Sequence, residues 1–221
     1  GIKWSRTTNW LSESNVCEWD GVECDSDLFV RILNLDQNNM KGKVSHRLRL
    51  FVVVGNMTQL GILILILAVF RFGLLFSDAP SKLNAIEAYY AANNESVGTI
   101  SSGYFKSATL RSIDFSGNAL SGGFSADISK DSNLFSINFA SNFLDGSIPS
   151  QIKNIAGLTT LNIESNKFSG PFPASLYTLP LTELSIGGNE LTGTIPGNLT
   201  GISTLTSISL GPNLFIGDIP T

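Results

Sequence analysis

The sequence predicts a solenoid of stacked strands, because one short pattern recurs along most of its 221 residues. In seven places an Asn is followed four residues later by a Gly, and from the second place onward the steps between successive Asn residues are 24, 24, 24, 23 and 24 residues. Apolar residues stand at the same offsets around each Asn. The seven pairs are Asn38/Gly42, Asn94/Gly98, Asn118/Gly122, Asn142/Gly146, Asn166/Gly170, Asn189/Gly193 and Asn213/Gly217.

Each unit predicts one short strand followed by a turn. In the unit of Asn166, Leu161 and Ile163 are separated by one polar residue, which is the pattern of a strand with one buried side. We expect the Asn166 amide to be buried and to bond to backbone groups that a turn inside a stack would leave unpaired. Gly170 then allows a backbone bend that a side chain would obstruct.

The full pattern, L-x-x-L-x-L-x-x-N-x-L-x-G-x-I-P, resembles the leucine-rich repeat of the plant type, over about residues 28–221. Three units end in the Gly-x-Ile-Pro tail of that subfamily, at 146–149, 193–196 and 217–220. The resemblance implies an α/β-type solenoid of about seven units: a right-handed coil with short parallel strands on a concave face and 3₁₀ or irregular segments on the convex face. No paired cysteines close the last unit, so we expect a fragment of a longer chain.

Residues 1–27 resemble the N-terminal cap of plant-type repeat ectodomains. The segment from Cys17 to Cys24 has the form C-x-W-x-G-V-x-C, and Trp4 and Trp10 precede it. A cap is needed because the first coil would otherwise expose its core. The resemblance implies a disulfide between the two cysteines, and a pair of reduced thiols is the alternative.

A disulfide and three glycosylation sequons favour an extracellular or cell-surface location. The sequons begin at Asn56, Asn94 and Asn198. Asn94 is also the structural Asn of its unit, so we expect it to be buried and unmodified, which leaves Asn56 and Asn198 as candidate acceptors. The first residue is Gly with no apolar leader before it, so we expect that a secretion signal has been removed or left out.

Composition argues against several classes of function. A net charge of −4 with 14% charged residues offers no basic surface for nucleic acid. No phosphate-binding Gly loop, catalytic carboxylate pair or nucleophile elbow is present. His46 is the single histidine, in a polar stretch typical of the surface, and one His with two Cys is too few for a zinc site. We therefore expect no enzymatic activity, no metal and no cofactor.

The segment 45–82 breaks the repeat. Asn38 and Asn94 are 56 residues apart, and the run 60–76 is almost wholly apolar. We interpret the segment as a degenerate unit that has lost its Asn and carries an insertion. A membrane-spanning helix is one alternative, although the run is short for a span and contains Arg71. A sequence artefact such as a retained intron is the other.

The candidate binding residues lie on the predicted concave face. An apolar patch is expected from the degenerate unit and its neighbour, unless the inserted loop covers it. Polar side chains continue the face toward the C-terminus, a pattern that suits peptide or sugar but is also that of any solvated strand. The predicted ligand-binding residues are Ile64, Ile66, Glu87, Tyr90, Arg111, Asp114, Asn138, Asn162 and Glu164.

The resemblance implies a non-enzymatic recognition module that binds a protein, peptide or glycan on its concave face, as in the ectodomains of plant receptor-like kinases and receptor-like proteins. Repeat proteins of algae and other protists are also similar. A co-receptor is an implied partner, and the membrane would be reached only through a region outside this chain. A secreted inhibitor of the polygalacturonase-inhibiting type is the alternative. A third is an ice-binding surface, because Thr159, Thr182 and Thr206 recur at one offset.

Overall fold

The computed structural model describes residues 16–18, 20–26, 30–34, 36–37, 41–44, 86–197 and 202–218. Strands alternate with turns throughout these ranges, and the helical segments within them are short 3₁₀ turns. The strands are β1 (Val22–Cys24), β2 (Val30–Asn34), β3 (Lys41–Val44), β4 (Ala88–Tyr90), β5 (Glu95–Gly98), β6 (Ser112–Asp114), β7 (Ala119–Gly123), β8 (Ser136–Asn138), β9 (Phe143–Ser147), β10 (Thr160–Asn162), β11 (Lys167–Pro171), β12 (Glu183–Ser185), β13 (Glu190–Thr194), β14 (Ser207–Ser209) and β15 (Leu214–Ile216). The 3₁₀ turns are Val16–Glu18, Ser102–Lys106, Ser150–Asn154 and Ala174–Thr178.

One strand from each coil joins the first sheet, whose order is β1-β2-β4-β6-β8-β10-β12-β14. All neighbours in it are parallel except β1 and β2. The register is uniform, since Ile113 aligns with Ile137 and Ile137 with Leu161. The predicted solenoid of short parallel strands with 3₁₀ segments is therefore confirmed.

The second sheet was not predicted. It contains β3, β5, β7, β9, β11, β13 and β15, again all parallel. Its strands follow the repeated Asn and are rich in Gly and Ser, which disfavour strands when considered alone. Gly170 in β11 has a φ of 83°, a left-handed conformation that favours Gly. Stacking of successive coils outweighs local propensity here.

The core lies between the two sheets and the 3₁₀ turns. Leu161, Ile163 and Phe168 of one coil are completely buried, as the repeat predicts. In the coil of β4 a tyrosine, Tyr89, takes the position that Ile or Leu holds elsewhere, and the small Ala91 stands where the next coil has Phe115. The Tyr89 ring packs edge-on against Phe115 at 5.6 Å between centroids. Burial raises the pKa of Tyr89 above its usual value, so the phenol stays neutral.

The repeated Asn residues form a hydrogen-bonded ladder between coils. The Leu144 N–H donates to Asn166 Oδ1 at 2.9 Å. The Asn166 Nδ2 donates to the carbonyls of Phe139, Ile163 and Glu164 at 2.9, 3.2 and 3.1 Å. The role predicted for the Asn amide is confirmed. The same inter-coil bond joins Ser96 to Asn118, Leu120 to Asn142, Phe168 to Asn189, and Leu191 to Asn213.

Strand pairing corrects one expectation about segment 45–82. β2 pairs directly with β4, and β3 with β5, so no coil in register stands between them. The Glu87 N–H donates to the Arg31 carbonyl at 2.8 Å, although these residues are 56 positions apart. A degenerate unit cannot occupy that place in the stack. The segment itself, with the suggested membrane span, lies outside the described residues, among which no helix is long and apolar enough to cross a membrane.

The pairing predicts that residues 45–76 can be removed. Arg31, Glu87 and Arg111 hold equivalent positions in three successive coils. Glu87 and Arg111 are 24 positions apart and Arg31 and Glu87 are 56 apart, so the connection between the first two coils contains 32 extra residues. Deleting 45–76 restores the regular step, and we expect the shortened protein to unfold in urea at the wild-type midpoint or above it. Deleting 125–156, also 32 residues, is the control, because it breaks the register of the coils and should abolish cooperative unfolding. Loss of folding in the first variant would contradict the direct stacking.

Candidate functional site: the concave sheet surface

The first sheet presents two rows of side chains that each take one residue per coil. We call the row at the start of the strands the edge column. From its second member onward, the backbone N–H of each residue donates to the backbone carbonyl of the residue before it in the column. The central column contains the last residue of each strand. The edge column is Arg31, Glu87, Arg111, Phe135, Thr159, Thr182 and Thr206. The central column is Asn34, Tyr90, Asp114, Asn138, Asn162, Ser185 and Ser209.

Charges alternate at the N-terminal end of the edge column. Asp25 accepts from the Arg31 Nε at 2.6 Å. Arg31 Nη1 lies 3.6 Å from Glu87 Oε1, and Arg111 Nε lies 3.8 Å from Glu87 Oε2. The structure therefore brings two predicted site residues, Glu87 and Arg111, together. The side chains of these pairs are partly exposed to solvent, so their contribution to stability is small, and their main effect is to fix the charge pattern of the surface.

The polar side chains of the central column are partly used by the fold. Asn162 Oδ1 accepts from the backbone N–H of Glu164 at 3.1 Å, and Asn138 Oδ1 accepts from that of Ala140 at 3.2 Å. Asn138 Nδ2 also donates to Asp114 Oδ2 at 2.8 Å. These bonds hold the side chains in place and leave the face polar. They also place three predicted residues, Asp114, Asn138 and Asn162, side by side in neighbouring coils.

Glu164, also predicted, extends along the solenoid. Its carboxylate accepts a hydrogen bond from the Ser209 hydroxyl, two coils further on. The intervening residue at this position is Gly187, which has no side chain to block the path. An added Cβ there would lie 3.2 Å from Glu164 Oε1. Glu164 therefore belongs to the concave surface, but its carboxylate already has a partner.

Only part of the predicted apolar patch falls within the described residues. Tyr90 lies half-buried in the central column, while Ala88 and Ala92, two positions before and after it, are buried and add little surface. Ile64 and Ile66 are outside the described residues, so the patch stays a prediction. Among the sequons, Asn94 is buried as expected and donates to the carbonyls of Ala91 and Ala92. Asn56 and Asn198 fall outside the described ranges.

One residue of this surface was missed by the sequence analysis. Phe135 stands in the edge column between Arg111 and Thr159 and is 46% exposed. Large aromatic side chains that stay exposed are frequent anchors in binding surfaces. Sequence offers only one signal for it, namely that an aromatic residue interrupts a column that is otherwise charged or hydroxylated.

The threonines of the edge column are bound to the fold. Thr159 Oγ1 donates to the Phe135 carbonyl at 3.0 Å, Thr182 Oγ1 to that of Thr159 at 3.1 Å, and Thr206 Oγ1 to that of Thr182 at 2.9 Å. These bonds give the threonines a regular orientation along three coils. They also direct each hydroxyl hydrogen toward the protein, which leaves only the hydroxyl oxygen and the methyl group for an outside partner.

The N-terminal disulfide expected from the cap motif is present between Cys17 and Cys24. It connects the first 3₁₀ turn to β1, and β1 pairs antiparallel with β2. The short β1 is therefore the terminal strand of the first sheet and follows the parallel stack in the opposite direction. That residues 1–27 form a cap stays a prediction. Trp4 and Trp10 lie outside the described residues.

Comparison with known proteins agrees with this geometry. A family model described as Leucine Rich Repeat matches residues 157–179 and 180–202. No curated protein sequence matches the chain. A crystal structure of PEPR1-AtPEP1 is similar with a TM-score of 0.73 and 23% identity, covering 99% of this chain and 28% of that one. A plant ice-binding protein is similar with a TM-score of 0.72 and 20% identity, covering 96% of this chain and 59% of that one.

The Arabidopsis receptor kinase HAESA ectodomain, in complex with an IDA peptide hormone, is similar with a TM-score of 0.61 and 24% identity. That match covers 97% of this chain and 39% of the receptor chain. The chain thus spans less than two thirds of the length of each of these three structures. At these identities the likeness concerns the fold. The matched repeats at 157–202 and the stacked parallel strands show that the chain has a leucine-rich repeat solenoid fold, similar to the fold of the HAESA receptor kinase ectodomain.

Proposed function

We propose that this protein is a non-enzymatic, extracellular recognition module that binds a peptide or an extended protein segment on its concave face. The observation that carries the proposal is the pair of regular side-chain columns across the first sheet. Successive members stand about 4.8 Å apart, which lets a chain lying along the solenoid contact several coils. The disulfide of the cap supports an oxidising, extracellular location.

The similar structures support the same choice of ligand. The PEPR1 structure is a complex with AtPEP1, and the HAESA structure contains a peptide hormone. A second HAESA structure also contains the co-receptor SERK1. By analogy, we include a protein co-receptor among the partners of this module, with any membrane attachment provided by residues outside this chain.

Ice binding is a second candidate, because a plant ice-binding protein shares the fold and three threonines stand in register. We rank it below peptide recognition, since charged Glu87 and Arg111 and aromatic Phe135 interrupt the same column. Inhibition of a cell-wall-degrading enzyme would use the same concave face. In that case the partner would be a folded protein, and peptides would not compete for it.

The proposal predicts that a bulky residue on the concave face abolishes peptide binding. Peptides would be selected from a random displayed library on the refolded, oxidised protein and their affinities measured by calorimetry. Ser136 and Ser147 lie in the same coil, in β8 of the first sheet and β9 of the second. We expect Ser136→Trp to weaken binding by at least about tenfold through steric exclusion, and Ser147→Trp to leave it unchanged. Equal affinities for both variants would contradict recognition on the concave face.

A further inference from the structure

We infer that the segment bound on the concave face carries a carboxylate that pairs with Arg111, next to an apolar side chain that packs on Phe135. This inference rests on the proposed function and specifies its ligand. Its basis is the order of the charged residues up to Arg111 and the exposed Phe135 that follows Arg111 in the edge column.

Asp25 and the first three residues of the edge column form an alternating row of charges. Asp25, Arg31, Glu87 and Arg111 succeed one another as negative, positive, negative and positive, and each is within ion-pair distance of the next. A row of this kind is balanced in its interior, because each inner charge has an opposite charge on both sides. The row ends at Arg111, which has a carboxylate on one side only.

The guanidinium of Arg111 is open to a further partner. Its side chain is 59% exposed, and its contact with Glu87 uses Nε at 3.8 Å. No hydrogen bond of the guanidinium to Glu87 is present at this distance. Since Arg presents a planar fork that suits two carboxylate oxygens, a ligand carboxylate can bind at these groups without displacing Glu87. The position next in the row is where an acidic side chain would continue the alternation.

Phe135 occupies that next position. Its backbone N–H donates to the Arg111 carbonyl at 2.8 Å, so the two residues are direct neighbours across the sheet. The ring is 46% exposed and cannot balance the charge of Arg111. It offers an apolar surface beside a cation. A ligand that satisfies both residues carries an acidic group and, one or two positions away along an extended chain, a large aliphatic or aromatic side chain.

Among the described residues, no other charged side chain on this face can pair with a ligand carboxylate in the same way. Asp114 lies in the same coil as Arg111, and its carboxylate accepts hydrogen bonds from Ser116 and Asn138. Toward the C-terminus the described charged residues of the surface are Glu164 and Glu183, both negative. They disfavour a carboxylate further along and therefore fix the position of the acidic group at the Arg111 end. The ligand that fits is an extended peptide with its acidic residue over the third described coil and neutral or basic residues toward the last coils.

The test uses the displayed peptide library described above, with sequencing of the selected peptides. We expect enrichment of Asp or Glu within two positions of a large apolar residue. Arg111→Glu should weaken the selected peptides by about tenfold and should select Lys or Arg in a fresh round, and wild-type binding should weaken as salt rises. Phe135→Ser should weaken binding by a similar factor.

Matched controls lie on the second sheet. Lys167→Glu reverses an exposed charge there, and Phe143→Ser removes an aromatic ring that is 53% exposed, so neither should change affinity. Consider the peptides that bind the wild type but do not bind the Ser136→Trp variant. If these peptides are not enriched in Asp or Glu, or if they bind the Arg111→Glu variant with wild-type affinity, the inference is overturned and the proposed function still stands. Failure to select any peptide overturns both the inference and the proposed function.

Discussion

Replacing Phe139 by Ala should lower the free energy of unfolding by about 4 kcal/mol, the largest effect that we expect from a single substitution. The ring is fully buried between successive coils. Its centroid lies 5.6 Å from that of Phe115, 5.8 Å from that of Phe124 and 6.3 Å from that of Phe105. Removing it leaves a cavity at the junction of several coils, and a solenoid has only neighbouring coils with which to fill it.

Urea unfolding followed by circular dichroism measures this loss, and Phe143→Ala is the control. Phe143 belongs to the same coil but is exposed on the second sheet, where Lys167 lies 5.4 Å from its ring centroid. Its truncation should cost less than about 1 kcal/mol. Similar losses for the two variants would mean that Phe139 is not packed between the coils as described.

The second large effect is expected for Asn166→Ala, at about 3 kcal/mol. The substitution removes the acceptor of the Leu144 N–H and the donor to three carbonyls, all inside the stack. Buried backbone groups that lose their partner keep the cost of having left water. Equilibrium unfolding in urea of wild type and variant gives the difference.

Asn162→Ala separates this effect from the general cost of truncating an asparagine. Asn162 lies four positions earlier, on the half-exposed concave face, and its one side-chain bond in the described structure is to the N–H of Glu164. Water can replace that bond, so the loss should stay below about 1 kcal/mol. A neutral Asn166→Ala, or equal losses at both sites, would contradict the ladder that joins the coils.

The sequence was sufficient to predict the features that repeat in every coil. The buried columns and the Asn ladder recur in every coil, so each copy reinforces the inference from the others. Leu161, Ile163 and Asn166 were assigned to core and turn from spacing alone, and the structure confirms those roles. The second sheet was not predictable in this way. Its strands are held extended by pairing with neighbouring coils, as for Lys167–Pro171, and their own residues do not favour strands.

The segment between Val44 and Ile86 shows where periodicity fails. A degenerate unit appeared to fit because almost every residue of the run 60–70 is apolar, and such a run satisfies the buried positions in any register. Counting residues between two Asn positions does not tell how many coils lie between them. Only the pairing of Ile32 with Ala88 does so, and it is a long-range contact.

The candidate site was predictable in position and less so in chemistry. In the structure the predicted residues Asp114, Asn138 and Asn162 share one register position of the first sheet, and Glu87 and Arg111 directly precede β4 and β6. That these residues bind a ligand stays a prediction. The pairing of Glu87 with Arg31 depends on the direct stacking of two coils whose equivalent residues are 56 positions apart, and sequence spacing obscured it. The exposure of Phe135 was missed because face positions carry no repeating constraint.

The central claim is that a ligand binds on the first sheet, and hydrogen–deuterium exchange with a selected peptide tests it most directly. Amides of β6, β8 and β10, together with the edge-column residues that precede them, should exchange more slowly when the peptide is bound. The strands β7, β9 and β11 belong to the same coils and face the other way, so their exchange should not change. Protection confined to the first sheet is the predicted result, and protection centred on the second sheet, with none on the first, would contradict the account.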